Sequence, residues 1–241
     1  MSVEGYASPS RRLPTSSVSL SLTGRSSAAY GELAMNRRLT PRGVDRRRQL
    51  MDFAARRFAE NGYHPTSVGE IVSGMGVGKG VFYWYFASKE ELLVEILREA
   101  QYELRRCQEL AIANEDDPVR RIERGIRASL HWISEQRHLS TLFQFAATEE
   151  RFAPTMRRGQ EVAVADAARH INEAIAQGRI ADTDALKLTH AIIGVTNHLA
   201  RVCILEQNEP AEEVGDAAVR FCLFGLLGTP VVTTEATGLA R

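Results

Sequence analysis

The chain has 241 residues, with 30 Lys and Arg against 30 Asp and Glu, 44% hydrophobic residues and three cysteines. This composition suits a globular protein large enough to bury a core without disulfides or metals. A zero net charge, taken as a sum, argues against a nucleic-acid partner.

The sum hides a segregation. Net charge is +1 over residues 1–35, +3 over 36–100 and −4 over 101–241. Within 36–58 eight arginines (37, 38, 42, 46, 47, 48, 56 and 57) stand against Asp45 and Asp52. A basic module is joined to an acidic body, which suits a polyanion-facing end on a chain whose remainder stays off the polyanion. The most apolar stretch, 191–205, is broken by Asn197, His198 and Arg201, so no membrane span is expected. Arg11 and Arg12 are followed by a Ser/Thr-rich run with no apolar core, which argues against a secretory signal. Cys107, Cys203 and Cys222 are odd in number and far apart, and read as buried thiols of a cytoplasmic protein.

Residues 1–35 hold nine serines and few aliphatics, so a disordered tail is expected over 1–40. Met35, just before the arginine run, is an alternative start to Met1. A DNA-binding domain is then expected over 41–104, a larger body over 105–228 and a loose tail over 229–241. All predicted elements between the tails are helical. The first runs from 41–44 to 60, with Leu50, Ala54 and Phe58 on one face and Asn61-Gly62 as its stop. The second opens at a capping box, Ser67-Val-Gly-Glu70, and breaks at Gly74-Met75-Gly76. A third begins near Gly78 and carries Val81 to Phe86; Ser88 caps a fourth with Leu92, Leu93, Ile96 and Leu97 inward.

Longer helices follow, over 119–135, 139–148, 154–177, 183–206 and 211–228, Gly178 ending the third of these in a left-handed cap. Helix 183–206 is apolar on two faces, one with Leu186, Ile193, Ala200 and Ile204, the other with Val195, Leu199 and Val202. The last helix is similarly broad through Phe221, Leu223, Phe224 and Leu227. A helix apolar on two sides buries both, so these two helices are expected to pair with their copies in a four-helix homodimer interface.

Residues 67–86 have the spacing of a helix-turn-helix, in which the first helix braces the backbone and the second enters the major groove. Tyr83, Trp84 and Tyr85 are consecutive, so a helix cannot bury all three; Phe82 and Phe86, four apart, take the core face. Their hydroxyls and indole N–H are then free to donate to phosphates. Lys79 near the helix start can reach guanine or phosphate, and Gly80 lets the backbone approach bases. The Arg47/Arg48 pair is expected to add salt-dependent attraction at the flank.

The run Leu50-Met-Asp-Phe-Ala-Ala-Arg-Arg-Phe58, then Asn61-Gly-Tyr63, Thr66-Ser-Val-Gly-Glu-Ile71, and Gly76-Val-Gly-Lys-Gly-Val-Phe-Tyr-Trp-Tyr-Phe86-Ala-Ser-Lys89-Glu-Glu-Leu92 resembles the DNA-binding domain of the TetR family of transcriptional regulators. The resemblance covers residues 44–104 and implies an all-α protein: a three-helix DNA-binding domain followed by a larger ligand-binding and dimerisation domain. It implies that Gly78, Lys79 and Gly80 face base edges, while Thr66, Tyr83, Trp84, Tyr85 and Lys89 touch the DNA backbone, with Ser67 at the start of the same motif. Many members carry Ser or Thr where this chain has Gly78, and the two glycines weaken the helix by up to about 1 kcal/mol each.

The resemblance further implies a repressor that binds a palindromic operator in double-stranded DNA as a dimer and is released by a small molecule. For that molecule the candidate polar anchors are His131, Gln144, Asn197 and Arg201, with His198. Trp132, Phe143, Phe145 and Phe152 are the candidate apolar wall. No metal-ligand spacing or phosphate-binding glycine loop appears, so no metal and no cofactor is expected. Two other classes stay open: a DNA-architectural protein without a ligand, and a helical enzyme using His131, His138, Glu149, Glu150 and Cys203.

Overall fold

The computed structural model describes residues 40–227; the expected tail at 229–241, and that at 1–40 except Thr40, lie outside the described residues. The chain divides into two units, Met1–Val44 and Asp45–Arg241. In the first, the Thr40 hydroxyl oxygen accepts from the Gly43 N–H at 3.2 Å. Pro41 follows at the first helical position, where its missing N–H costs nothing.

The elements are α1 (Pro41–Asn61), α2 (Val68–Gly74), α3 (Lys79–Tyr85), α4 (Lys89–Ile112), α5 (Pro118–Glu135) and α6 (Arg137–Thr148). A 3₁₀ turn (Glu150–Phe152), α7 (Ala153–Ala176), α8 (Ala185–Leu199), a π-helical segment (Ala200–Glu206) and α9 (Ala211–Leu227) complete the chain. No strand occurs among the described residues, and the protein is all-α. Gly62 and Gly178 stand at φ +85° and +68°, a region in which a side chain would be strained, which is why the helices before them stop there. Asp117 and Asp184 open α5 and α8 by accepting from the Val119 N–H at 2.9 Å and the Leu186 N–H at 3.0 Å.

Two cores form within the second unit. The first gathers Leu50, Ala54 and Phe58 of α1 with Ile71, Phe82 and Phe86, closed by Leu92, Leu93, Ile96 and Leu97 of α4. Each of these large side chains contributes roughly 1.5–3 kcal/mol by leaving water. Leu142 and Ala146 of α6 and Phe152 of the 3₁₀ turn belong to this same core, although they lie far along the chain. The second core is built on α5, whose Ile122, Ile126, Leu130 and Ile133 meet Ala100 of α4, Ile171 of α7, Ile204 of the π segment and Val214, Ala218 and Cys222 of α9. The changeover between cores falls inside α4, a single helix that runs through residues 100–105.

Helix α8 departs from its expected faces. Leu186 is exposed, while Thr189 and Thr196 are buried; their hydroxyls donate back to the Ala185 and Ile192 carbonyls at 2.7 and 2.8 Å. A threonine that bonds its own helix backbone packs as an apolar side chain, which period counting of hydrophobic residues misses. The π segment was not foreseen either. By length and composition alone Ala185–Glu206 is apolar enough to cross a membrane, with mean hydropathy 1.3. One side packs in the second core, and Lys187, His190, Asn197, His198 and Arg201 are exposed, groups that hydrocarbon would not solvate.

Candidate nucleic-acid interface and adjoining cavity

The interface is built from α2 and α3. Ser67 accepts from the Glu70 N–H at 3.2 Å, and the Glu70 carboxylate accepts from the Ser67 N–H at 2.6 Å, so two orphan donors of α2 are satisfied reciprocally. These bonds hold the Glu70 carboxyl below the usual carboxylate range. Gly76 turns the chain at φ +65°, and the Val77 N–H donates to the Val72 carbonyl at 2.9 Å, which sets α3 against α2.

Helix α3 is locked on one side and open on the other. Phe82 and Phe86 are sealed in the first core with ring centroids 5.8 Å apart. Tyr83 is 56% and Trp84 50% exposed, so each ring presents a face to solvent, although Tyr83 meets Phe82 edge-on at 5.3 Å. Tyr85 is half-buried and meets Trp84 edge-on at 4.6 Å. Gly78, Lys79 and Gly80 are exposed, and a Cβ at Gly78 or Gly80 would meet nothing within 4 Å. The room at these glycines lies outside the protein.

Three residues expected to touch DNA are engaged inside the protein. Thr66 is buried, and its hydroxyl donates to the Gly62 carbonyl at 2.8 Å, closing the exit of α1. Lys89 spends its ammonium on the carbonyls of Tyr63, Thr66 and His64 at 2.8, 2.9 and 3.2 Å and lies over the Tyr63 ring at 4.4 Å. With all three donors in use it has none left for a phosphate. Burial, then the nearby Arg151, lowers its pKa from the ordinary lysine value. Arg47 is half-buried, pairs with Glu95 at 2.8 Å and lies over the Phe86 ring at 5.1 Å, so it ties α1 to α4. Arg48 is exposed and only loosely paired with Glu103 at 3.5 Å. No pattern in the sequence separates these internal cations from exposed ones.

Behind this domain α4 to α8 and the π segment line a partly open cavity of about 670 Å³. That lies within the range of small-molecule sites, roughly 300–1,000 Å³. Trp132, Phe143, Gln144, Asn197 and Arg201 line it, as does His198. Trp132 and Phe143 stack at 6.1 Å. His131 does not reach the cavity: one residue before Trp132, it is turned about 100° round α5, is exposed, and pairs with Glu135 at 3.2 Å. Phe145 and Phe152 also belong elsewhere, each 5.4 Å from the Tyr63 ring in the first core. Arg105, Gln108, Ser129 and His170 line the cavity and were missed, because polar residues at helical spacing read as a solvated face.

An exposed cationic and aromatic face on a short helix braced by a capped partner defines a helix-turn-helix DNA-binding regulator. Residues 50–96 match the family described as bacterial regulatory proteins, tetR family. The chain is 24% identical over 195 residues to the uncharacterized HTH-type transcriptional regulator YdgC of Bacillus subtilis, covering 77% of this chain and 95% of that one. It is 47% identical over 53 residues to the HTH-type transcriptional repressor KstR2 of Mycobacterium tuberculosis, a stretch covering 22% of this chain and 26% of the repressor. The fold is shared with FadR of Bacillus subtilis, solved in complex with stearoyl-CoA, with a TM-score of 0.68 at 18% identity over 74% of this chain and 98% of that one. Residues 50–96 are thus a DNA-binding domain of the tetR type, and the chain as a whole is similar to transcriptional regulators that carry it.

Proposed function

We propose that this protein is a dimeric repressor of a palindromic operator, released from DNA by a small molecule bound in the cavity. The observation that carries the reading is the open face of α3, with Gly78, Lys79, Gly80, Tyr83 and Trp84 outward while Phe82 and Phe86 hold the helix in place. Lys79 and the glycine backbone read base edges; Tyr83 and Trp84, with Ser67 and Arg48 at the flanks, fix the register on phosphates. Dimerisation through α8 and α9 is supported by Leu186, Phe221 and Phe224, which are exposed in the single chain.

Helix α6 supports coupling between cavity and DNA. Its Phe143 and Gln144 line the cavity, while Leu142 and Ala146 are part of the DNA-binding core. His64 lies 3.3 Å from Glu149 just beyond its end. A ligand that favours one placement of α6 shifts the spacing of the two recognition helices, and release follows from its differential affinity for that placement. The FadR complex is a precedent for a small-molecule partner in this fold.

Selection of bound fragments from random DNA tests the reading. The expected product is a palindrome with half-sites about one helical turn apart. A non-palindromic consensus, or sequence-independent binding with a steep salt dependence, overturns it; the second outcome marks an architectural protein.

A further inference from the structure

Apart from the Trp132 indole, polar side chains buried or half-buried on the cavity wall are, with two exceptions, satisfied inside the protein. Gln108 donates to the Ser129 hydroxyl at 2.7 Å, and that hydroxyl donates to the Gly125 carbonyl at 2.7 Å. Ser140 donates to the Gln136 carbonyl at 3.2 Å, and Thr189 and Thr196 bond their own helix as described. Arg121 pairs with Glu173 at 2.8 Å, and Asp166 lies 4.0 Å from Arg169. Gln101 lies 3.7 Å from the Met156 sulfur.

The exceptions are Arg105 and His170. Arg105, half-buried on α4, has no hydrogen bond, ion pair or ring contact among the described residues. Glu109, one turn along, is exposed and makes no ion pair with it. The His170 Nδ1 atom is buried without a hydrogen-bond partner, the one such side-chain atom among the described residues. An unpaired guanidinium against an apolar wall carries a desolvation cost that an anion offsets, and its parallel N–H groups match a carboxylate. An orphaned buried acceptor or donor asks for one more hydrogen-bonding atom. Around the two, Leu104, Ile126, Trp132, Phe143 and Ile193 offer a hydrocarbon surface.

We propose that the cavity binds an amphipathic carboxylate, its acid group held by Arg105, its hydrocarbon body against the apolar wall and an oxygen further along its length at His170. The assignment rests on the cavity being the effector site. Burial, reinforced by Arg169 and Arg121, holds the His170 imidazole below its ordinary pKa, so near neutral pH it meets an uncharged hydroxyl or carbonyl. Gly125 shows where the ligand can be blocked: it lines the cavity, and a Cβ there meets nothing within 4 Å, so a larger side chain is expected to project into the cavity.

The chain has two tryptophans, so full-length protein carrying Trp84→Phe leaves Trp132 emission as a reporter of the cavity. The probes are dodecanoate, 1-dodecanol and a set of dodecanoates hydroxylated at successive tail carbons, all below their micelle concentrations. Dodecanoate is expected to bind roughly tenfold or more tightly than dodecanol. Arg105→Gln is expected to abolish that preference while leaving dodecanol binding in place. One hydroxylated acid is expected to exceed dodecanoate, with the gain lost in His170→Phe. Gly125→Phe, its fold checked by thermal melting, is expected to lose all the probes. Equal binding of acid and alcohol, both lost in Gly125→Phe, overturns the carboxylate assignment and keeps the cavity as the effector site. Binding unchanged by Gly125→Phe overturns both, and binding by none of the probes overturns the proposal while operator selection still judges the repressor reading.

Discussion

Lys79 and Lys89 both flank the recognition helix, and the sequence offers nothing to tell their duties apart. Lys79 is exposed at the start of α3; Lys89 closes the loop after α1 by donating to three carbonyls. The difference arises because the loop carbonyls of Tyr63, His64 and Thr66, between α1 and α2, lie beside the start of α4. Lys89→Met is therefore expected to destabilise the fold by about 1.5–3 kcal/mol, the range for hydrogen bonds to a charged group. Urea denaturation measures it. The slope of operator affinity against salt should stay unchanged, since no phosphate contact is lost. A shallower slope with unchanged stability would return Lys89 to the DNA.

At the scale of elements, α6 is the helix with two loyalties, one face on the cavity and the other in the DNA-binding core. Its second residue, His138, is half-buried near Arg56 and Asp52 of α1, and burial, then Arg56, holds its imidazole below the ordinary 6.5. His170 of α7 is depressed in the same direction. The unfolded chain then binds protons that the folded one refuses. The stability gained from neutral imidazoles is complete above pH 6.5 and is lost as the pH falls through 6.5 towards the folded values. Urea midpoints should drop between pH 7.5 and 5.5, and His138→Gln should flatten that drop. A variant with the wild-type pH profile would show that the α1–α6 junction plays no part in it.

For the whole molecule, the decisive surface is the outer side of α8 and α9. Phe224 is 80% and Phe221 67% exposed, an apolar face that the proposed dimer would cover. Phe224→Glu places a charge on that face and, on the proposed reading, gives monomers where the parent chain gives dimers by light scattering, with helix content preserved. Operator affinity should fall by orders of magnitude, because one chain meets one half-site. A variant that remains dimeric would move the interface elsewhere.

The sequence by itself determined the helices, their caps and the helix-turn-helix, because these depend on neighbours within four residues. Ser67 with Glu70, Gly62, Gly178 and the Phe82/Phe86 pair are all local chemistry. It also showed the basic module and acidic body behind the zero net charge. Only the tertiary structure decided which cations are free, since Lys89 is used up by carbonyls 23 to 26 residues away in the chain and Arg47 by a carboxylate 48 residues away. Only it showed that Arg105 and His170 share a cavity with Trp132, while His131 beside that tryptophan does not. Periodicity assigns a residue to a face; what the face meets depends on helices packed against it from distant sequence, and that is where a polar residue becomes a solvated group, an internal brace or a ligand anchor.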